Sequence, residues 1–333
     1  MSLRRPAVAA SIAVAVLLPV AFSDYLRSLS AMAAIAALVV LSLVVLTGFT
    51  GQISFSQYSF AAVGAFTVGS LVAGHGWNFW LAAALGVAFA ATVGVLVGIP
   101  ALRLSGLFLA ILTVAVALVF DRFLLAPGTW NGFSGGVQPW RPARPSLFGI
   151  DLKGSYAFYL FTLVVFLVIA LAVWNLRRGK SGRVLRAIRE SEVSAETIVF
   201  NLTLWKLGAF GLSAAICGVA GALTAVSIGS VSAASYDFLH SIQIAAAATV
   251  MGVTSLASAA AAGVFVVFGP ELLRHTPLSS RYFSLILGAA LIAQLVLSPE
   301  GIVTKTQDQI RRRRRKAGPQ QAPERAPAEA VAS

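Results

Sequence analysis

The sequence contains very little charge. Only 11% of its 333 residues are Asp, Glu, Lys or Arg, against roughly 25% in soluble domains, whereas 58% are hydrophobic. This composition excludes a soluble globular domain and predicts a chain that lives in a bilayer. The net charge of +13 does not indicate a nucleic-acid partner, because the basic residues lie in loops, at the ends and in the run 311–316.

Residue types that support catalysis or metal binding are also scarce. The chain has one cysteine, Cys217, and three histidines far apart in sequence, which excludes an internal disulfide and disfavours a metal site. HExxH is absent, and the fragment Gly179–Ser181 lacks the earlier glycine of a phosphate-binding loop, since Trp174 stands there. We therefore expect no enzyme activity, no catalytic residue, no metal and no cofactor in this chain.

None of the 12 acidic residues falls near the centre of a proposed membrane span. Transporters coupled to protons or ions usually keep an ionisable group at that depth. The absence disfavours that class.

Apolar segments of spanning length are what the sequence has in abundance. The stretch Ser241–Leu272 is long for one span and has a turn-like Met251–Ser255, so we divide it into two short helices. With this division about ten crossings result, and both termini are expected in the cytoplasm. The prediction is an all-α polytopic integral membrane protein of about 8–10 transmembrane helices, some short or broken. The predicted spans are 7–22, 31–47, 53–73, 80–99, 104–125, 155–176, 207–230, the two halves of the divided stretch, and 282–298.

Three segments outside the spans organise the chain. The loop 177–206 is densely basic, which places it in the cytoplasm. The loop 126–154 is then external, and both contact with a partner and an irregular structural role remain open for it. Residues 1–303 are expected to form one transmembrane domain, and the basic tail 304–333 is expected to be disordered in the cytoplasm.

The cytoplasmic loop carries an amphipathic pattern. Leu185, Ile188, Glu192, Ala195 and Val199 recur at steps of three and four residues, so one helical face is mostly apolar. This indicates a short helix on the membrane surface that is presented to another protein.

A polar run interrupts the apolar region at Thr50–Ser59. Polar backbone at membrane depth is tolerated where it lines a cavity or is buried in protein, and a helix start there offers free N–H groups to a substrate carboxylate. Simple helix packing through small polar residues explains the run equally well. The candidate path residues are Thr50, Gly51, Gln52, Ser54, Ser56 and Gln57.

Four stretches, in order over about residues 40–303, resemble the permease subunits of branched-chain amino acid ABC importers of the LivM type. These are TGQISFSQ at Thr50–Gln57, ALRLSGLFLAILT at Ala101–Thr113, GRVLRAIRESE at Gly182–Glu192, and the pair Pro270–Leu273 and Ser298–Ile302. The family's Gly-His is replaced here by Ser56 and Gln57, and the glycine expected before Asn201 is Val199.

The resemblance implies a multi-pass subunit of the bacterial inner membrane without enzyme activity of its own. Implied partners are a second homologous permease, two cytoplasmic ABC ATPases that bind ATP and Mg, an extracytoplasmic binding protein and membrane lipid. The expected ATPase-coupling residues are Arg183, Leu185, Arg186, Ile188, Glu190, Glu192, Ala195 and Glu196, with Leu185, Ile188 and Ala195 filling a groove on the ATPase. Because Ser56 and Gln57 depart from the pattern, urea, short amides or aromatic acids are alternative substrates to branched-chain amino acids. A stand-alone channel for small neutral solutes and a membrane scaffold are the alternative functions.

Overall fold

The computed structural model describes residues 19, 22–126, 133, 139–147, 150–191, 195, 201–274 and 282–297. The predicted first span and the basic tail lie outside these residues, apart from Pro19 and Phe22. The described part is almost wholly helical, as predicted. Its helices are α1 Asp24–Leu43, α2 Gln57–Val68, α3 Phe79–Ala101, α4 Gly106–Val119, α5 Ser155–Arg178, α6 Lys180–Glu190, α7 Leu202–Ile228, α8 Phe238–Met251, α9 Leu256–Arg274 and α10 Phe283–Leu297.

The helices have the length and apolar composition of a multi-pass membrane protein. Six of those described are long and apolar enough to cross a bilayer: α1, α3, α4, α5, α7 and α9. Helices α8 and α10 are shorter and apolar. Three helices continue as wider π-helical turns, α1 through Val44–Phe49, α2 through Gly69–Gly74 and α4 through Phe120–Leu124.

Helices α2 and α7 form the centre of the bundle, and small residues allow their close contact. A Cβ atom built at Gly64 of α2 would lie 2.8 Å from Gly218 Cα of α7, closer than side-chain atoms approach. Only glycine permits that backbone contact, and such small-residue faces are how helices associate in lipid, where burial of apolar surface gives little driving force. The tight crossing therefore fixes α2 against α7.

Three span starts differ from the sequence prediction by four residues or more. The predicted 31–47 begins earlier, at Asp24, because Ser23 Oγ caps the helix by accepting from Leu26 N at 3.5 Å. The predicted 207–230 also begins earlier, at Leu202, because Asn201 Oδ1 accepts from Leu204 N at 3.3 Å. The predicted 53–73 begins later, at Gln57, because Gly51–Ser56 is not helical. Hydropathy averages over polar caps and over short non-helical pieces, so it misplaces these starts.

The division of the long apolar stretch is confirmed. Helix α8 ends at Met251, Gly252 takes a φ of 100°, and α9 begins at Leu256. Helix α9 returns along α1, where a Cβ at Gly263 would lie 2.7 Å from Ala37 Cα. The two short helices are thus separate elements joined by a tight turn.

The described part of the loop 126–154 lies across one end of the bundle, called here the loop end. It contains an antiparallel pair of strands, β1 Ser146–Leu147 and β2 Ile150–Asp151. Trp140 packs on the π-helical turn that continues α2, where a Cβ atom built at Gly69 would lie 2.9 Å from Trp140 Cβ. The carbonyl of Trp140 accepts from Val231 N at 2.8 Å. The loop is therefore tied to α2 and to the segment after α7.

Helix α6 lies at the opposite end of the bundle, called here the α6 end. It begins after Gly179 and ends at Glu190, where Ser191 adopts an extended conformation with φ −162° and ψ 115°. The predicted apolar face therefore does not continue as one helix to Val199, which lies outside the described residues. Its first two residues, Leu185 and Ile188, do share one face of α6, and that face is buried in this chain.

Candidate functional site

The polar run from Thr50 to Ser56 crosses from the α6 end into the bundle and is not helical from Gly51 onward. Buried and exposed residues alternate along it. Gly51 and Ile53 are exposed, while Gln52, Ser54 and Ser56 are at most 5% exposed. One polar edge of the segment thus faces the protein interior.

Gly51 begins this segment in a conformation that favours glycine. Its φ is 75°, in the left-handed region, and a Cβ atom there would lie 3.2 Å from Arg189 Cγ of α6. Arg189 Nη1 also donates to Gly48 O at 2.7 Å. The guanidinium therefore joins α6 directly to the bend from which the polar run leaves α1.

The turn between α8 and α9 meets the same bend. A Cβ atom at Gly48 would collide with the carbonyl oxygen of Val253. Since α6 and the α8–α9 turn both contact the chain at Gly48, a displacement of either element acts on the bend that leads into the polar run.

Main-chain N–H groups near the start of α2 already have hydroxyl partners. Phe55 N donates to Thr113 Oγ1 at 3.1 Å, and Tyr58 N donates to Ser241 Oγ at 3.1 Å. Ser54 and Ser56 lie with their hydroxyls 3.1 Å apart. The expectation that a helix start offers free donors here is wrong for these two N–H groups, which tie the polar run to α4 and α8.

Gln57 occupies the centre of the crossing of α1, α2 and α7. It is fully buried, and its Oε1 accepts from Ser42 Oγ at 2.9 Å and from Cys217 Sγ at 3.1 Å. Ser213 Oγ lies 3.4 Å from the same oxygen. Gln57 Nε2 has no hydrogen-bond partner among the described residues. A buried amide donor is thus available at the inner end of the polar run.

Helix α6 separates the expected coupling residues into two groups. Arg183, Arg186 and Glu190 are exposed, and Arg186 Nε donates back to Gly182 O at 3.0 Å. Leu185, Ile188 and Ala195 are between 1% and 3% exposed and are packed inside this chain. The expectation that these three fill a groove on an ATPase is therefore corrected: Leu185 and Ile188 attach α6 to the bundle, and Ala195 is buried beyond the end of that helix. Glu192 and Glu196 lie outside the described residues.

Several members of the site give no signal in the sequence. Arg189 is one basic residue among many in its loop, and Ser42 lies within a long apolar helix. The pair Ser213 and Cys217, one helical turn apart, is the one pattern that could have indicated a polar face on α7. Within the described ranges, no three His, Cys, Asp or Glu side chains come together to hold a metal.

Comparison with known proteins identifies a family and two relatives. The family described as the permease component of branched-chain amino acid transport systems matches residues 25–295. The high-affinity branched-chain amino acid transport system permease protein LivM of Salmonella typhimurium is 29% identical over 294 residues, covering 81% of this chain and 68% of the relative. LivM of Escherichia coli is 30% identical over 292 residues, with the same coverage.

No solved structure matches the chain significantly. The family match covers most of the chain, including α1 and nearly all of α10, and it contains the polar run and α6. The chain therefore belongs to the family of permease components of branched-chain amino acid transport systems.

Proposed function

We propose that this chain is the translocating subunit of an ABC importer for branched-chain amino acids, driven by ATP hydrolysis on separate subunits. The single observation that carries the mechanism is the Arg189 contact. It links the amphipathic helix α6 to the bend that leads into the polar run, with 2.7 Å between Arg189 Nη1 and Gly48 O. A stand-alone channel has no need of such a link.

The exposed charges of α6 form the surface that meets the ATPase. Arg183, Arg186 and Glu190 lie on the outside of a helix whose apolar face is anchored in the bundle. A rigidly anchored helix transmits a push from its partner instead of rotating on the surface. Two ATPases, which bind ATP and Mg, a second permease and an external binding protein complete the proposed importer.

The substrate path follows the polar run Thr50–Gln57. The buried edge of this run presents hydroxyl and amide groups and no side-chain charge. A zwitterionic amino acid passing here is held by neutral dipoles alone, so binding within the permease is weak and release is easy. ATP binding on the partners biases two conformations that differ by only a few kcal/mol.

The orientation follows from the charge of the loops. The α6 end carries the basic loop and faces the cytoplasm, and the loop end with β1 and β2 faces the outside. Both termini then lie in the cytoplasm of a cell whose inner membrane holds the importer.

Reconstitution tests the proposal. The chain is assembled in liposomes with the partner subunits of its own cell, and uptake of labelled L-leucine is measured with and without ATP inside. Uptake that needs both ATP and the binding protein is the expected result. Uptake by the permease alone, without ATP, would identify a channel, and stimulation by urea or phenylalanine in place of leucine would reassign the substrate.

A further inference from the structure

A half-open cavity of about 230 Å³ lies on the loop-end side of Gln57. Tyr58, the residue after Gln57, lines it, and so does Val39, one turn before Ser42 on α1. The cavity is much larger than one water molecule needs and smaller than the roughly 300–1,000 Å³ of drug-sized sites. Its walls come from α1, α2, α7, α8, α9 and the short helix between α7 and α8, and its lining residues include Met32, Ile35, Thr224, Tyr236, His240 and Val267.

The lining is mostly aliphatic, and it contains no Asp, Glu, Lys or Arg. Such a surface favours a solute with a short apolar chain and no net charge, because an uncompensated charge would be costly there. The hydroxyls of Thr224, Ser227 and Ser235 supply a few polar contacts, and the exposed imidazole of His240 lies beside Tyr58 with ring centres 5.6 Å apart.

Tyr236 provides a polar group in this cavity. The residue is 2% exposed, and its Oη makes no well-formed hydrogen bond among the described residues. The Thr224 hydroxyl lies beside it and donates its own proton to Ala220 O at 2.8 Å. A buried phenol whose hydrogen bonding is incomplete costs free energy, which a bound solute would recover.

We propose that this cavity is a substrate chamber for one small zwitterionic or neutral solute with a branched aliphatic chain. The aliphatic wall holds the side chain and the Tyr236 hydroxyl contacts the polar part. This proposal rests on the proposed transport function and adds a binding site to it. The chamber and the polar run then form consecutive stages, with Gln57 between them.

Filling the chamber tests its role in substrate selection. Val267→Phe on α9 reduces the volume, and the matched control is Val264→Phe on the same helix, where Val264 is 52% exposed. In the reconstituted importer, Val267→Phe should lower L-leucine uptake at least tenfold and L-alanine uptake much less. Val264→Phe should leave both rates unchanged. A merely misfolded variant would lose both substrates equally, so the ratio of leucine to alanine uptake carries the result.

Removing the phenol tests its contact with substrate. Tyr236→Phe should cost the folded protein little stability, since the neighbouring Thr224 hydroxyl keeps Ala220 O as its acceptor. It should raise the KM for leucine by about 2- to 12-fold, the fold-change that one hydrogen bond is worth. A stable variant with unchanged KM would remove Tyr236 from the site.

Chemical protection gives a readout independent of transport rate. A Val267→Cys variant should react with N-ethylmaleimide, and L-leucine should slow that reaction, whereas the native Cys217 is fully buried. The chamber proposal is overturned if the wild-type importer carries leucine, leucine fails to protect Val267→Cys, and Val267→Phe has the same leucine-to-alanine uptake ratio as Val264→Phe. If wild-type importer carries no leucine, the proposed function itself fails.

Discussion

At the scale of single residues, the site depends on groups whose positions the chain cannot easily change. Gly51 has a backbone conformation that side chains disfavour, and Gln57 is enclosed by three helices. Each can be replaced to separate a structural role from a transport role.

Gly51→Val should abolish most transport. The left-handed φ of 75° disfavours any β-branched residue, and the new Cβ would press on Arg189 Cγ, so the bend and α6 would both shift. Gly76→Val is the control, because Gly76 has a similar φ of 69° with no neighbour within 4 Å of its Cβ position. Leucine uptake per inserted protein should fall at least tenfold for Gly51→Val and change little for Gly76→Val. Equal uptake by the two variants would mean that the polar run is ordinary packing.

Gln57→Leu should fold normally and transport more slowly. Ser42 keeps Val39 O as an acceptor at 2.6 Å, and Ser213 keeps Ser42 O at 3.0 Å, so neither hydroxyl loses its last partner. The thermal unfolding midpoint should therefore be unchanged or higher, while leucine uptake falls by about 2- to 12-fold, the value of one hydrogen bond. Wild-type uptake by the folded variant would place the substrate path elsewhere.

At the scale of elements, the apolar face of α6 contacts a different surface from the one that the sequence predicted. The period of three and four residues correctly predicted a helix with an apolar side. It could not tell whether that side meets a partner or the chain itself, because both contacts select the same residues. Burial of Leu185 and Ile188 settles the question in favour of the chain itself.

A pair of charge changes on α6 separates the two faces. Ile188→Asp buries a carboxylate without a counter-charge, which costs several kcal/mol, so the protein should insert or fold poorly. Arg183→Glu changes an exposed residue and should leave folding intact while weakening co-purification of the ATPase. Detergent-stable yield and ATPase recovery are the two measurements. A well-folded Ile188→Asp protein that lost only its ATPase would restore the original assignment.

Most of the helices could be predicted from hydropathy, because about twenty apolar residues have few alternatives in a bilayer. The break at Met251–Ser255 was predictable from length and from turn-forming residues. The non-helical entry at Gly51–Ser56 was not, since its main chain is held by Thr113, a residue distant in sequence. The cavity beyond Gln57 likewise depends on the packing of several helices, and no local pattern encodes it.

At the scale of the whole molecule, the bundle has two unlike ends connected by a polar run and a cavity. Arg189 and the α8–α9 turn contact the bend at the α6 end, and Trp140 packs against the continuation of α2 at the loop end. Alternating access then requires that motion at α6 reach the interior along this route.

Accessibility of single cysteines tests which end faces outward. Helix α5 separates Lys153 from Lys180, so the two lie on opposite sides of the membrane, and both are exposed. In intact cells an impermeant maleimide should label Lys153→Cys and spare Lys180→Cys. The same contrast is expected between Asn131 and Lys305, which lie outside the described residues. Labelling of Lys180→Cys from outside would invert the proposed orientation.

The most direct test of the account is whether Arg189 couples ATP hydrolysis to transport. Arg189→Met removes the donor to Gly48 O and leaves the exposed face of α6 in place, so the ATPases should still bind and hydrolyse ATP. Arg103→Met, a change of an exposed arginine at the α6 end but outside α6, is the control. The number of leucine molecules imported per ATP hydrolysed should fall at least tenfold for Arg189→Met and stay constant for Arg103→Met. An unchanged ratio in the Arg189→Met importer would contradict the claim that α6 acts on the polar run through this contact.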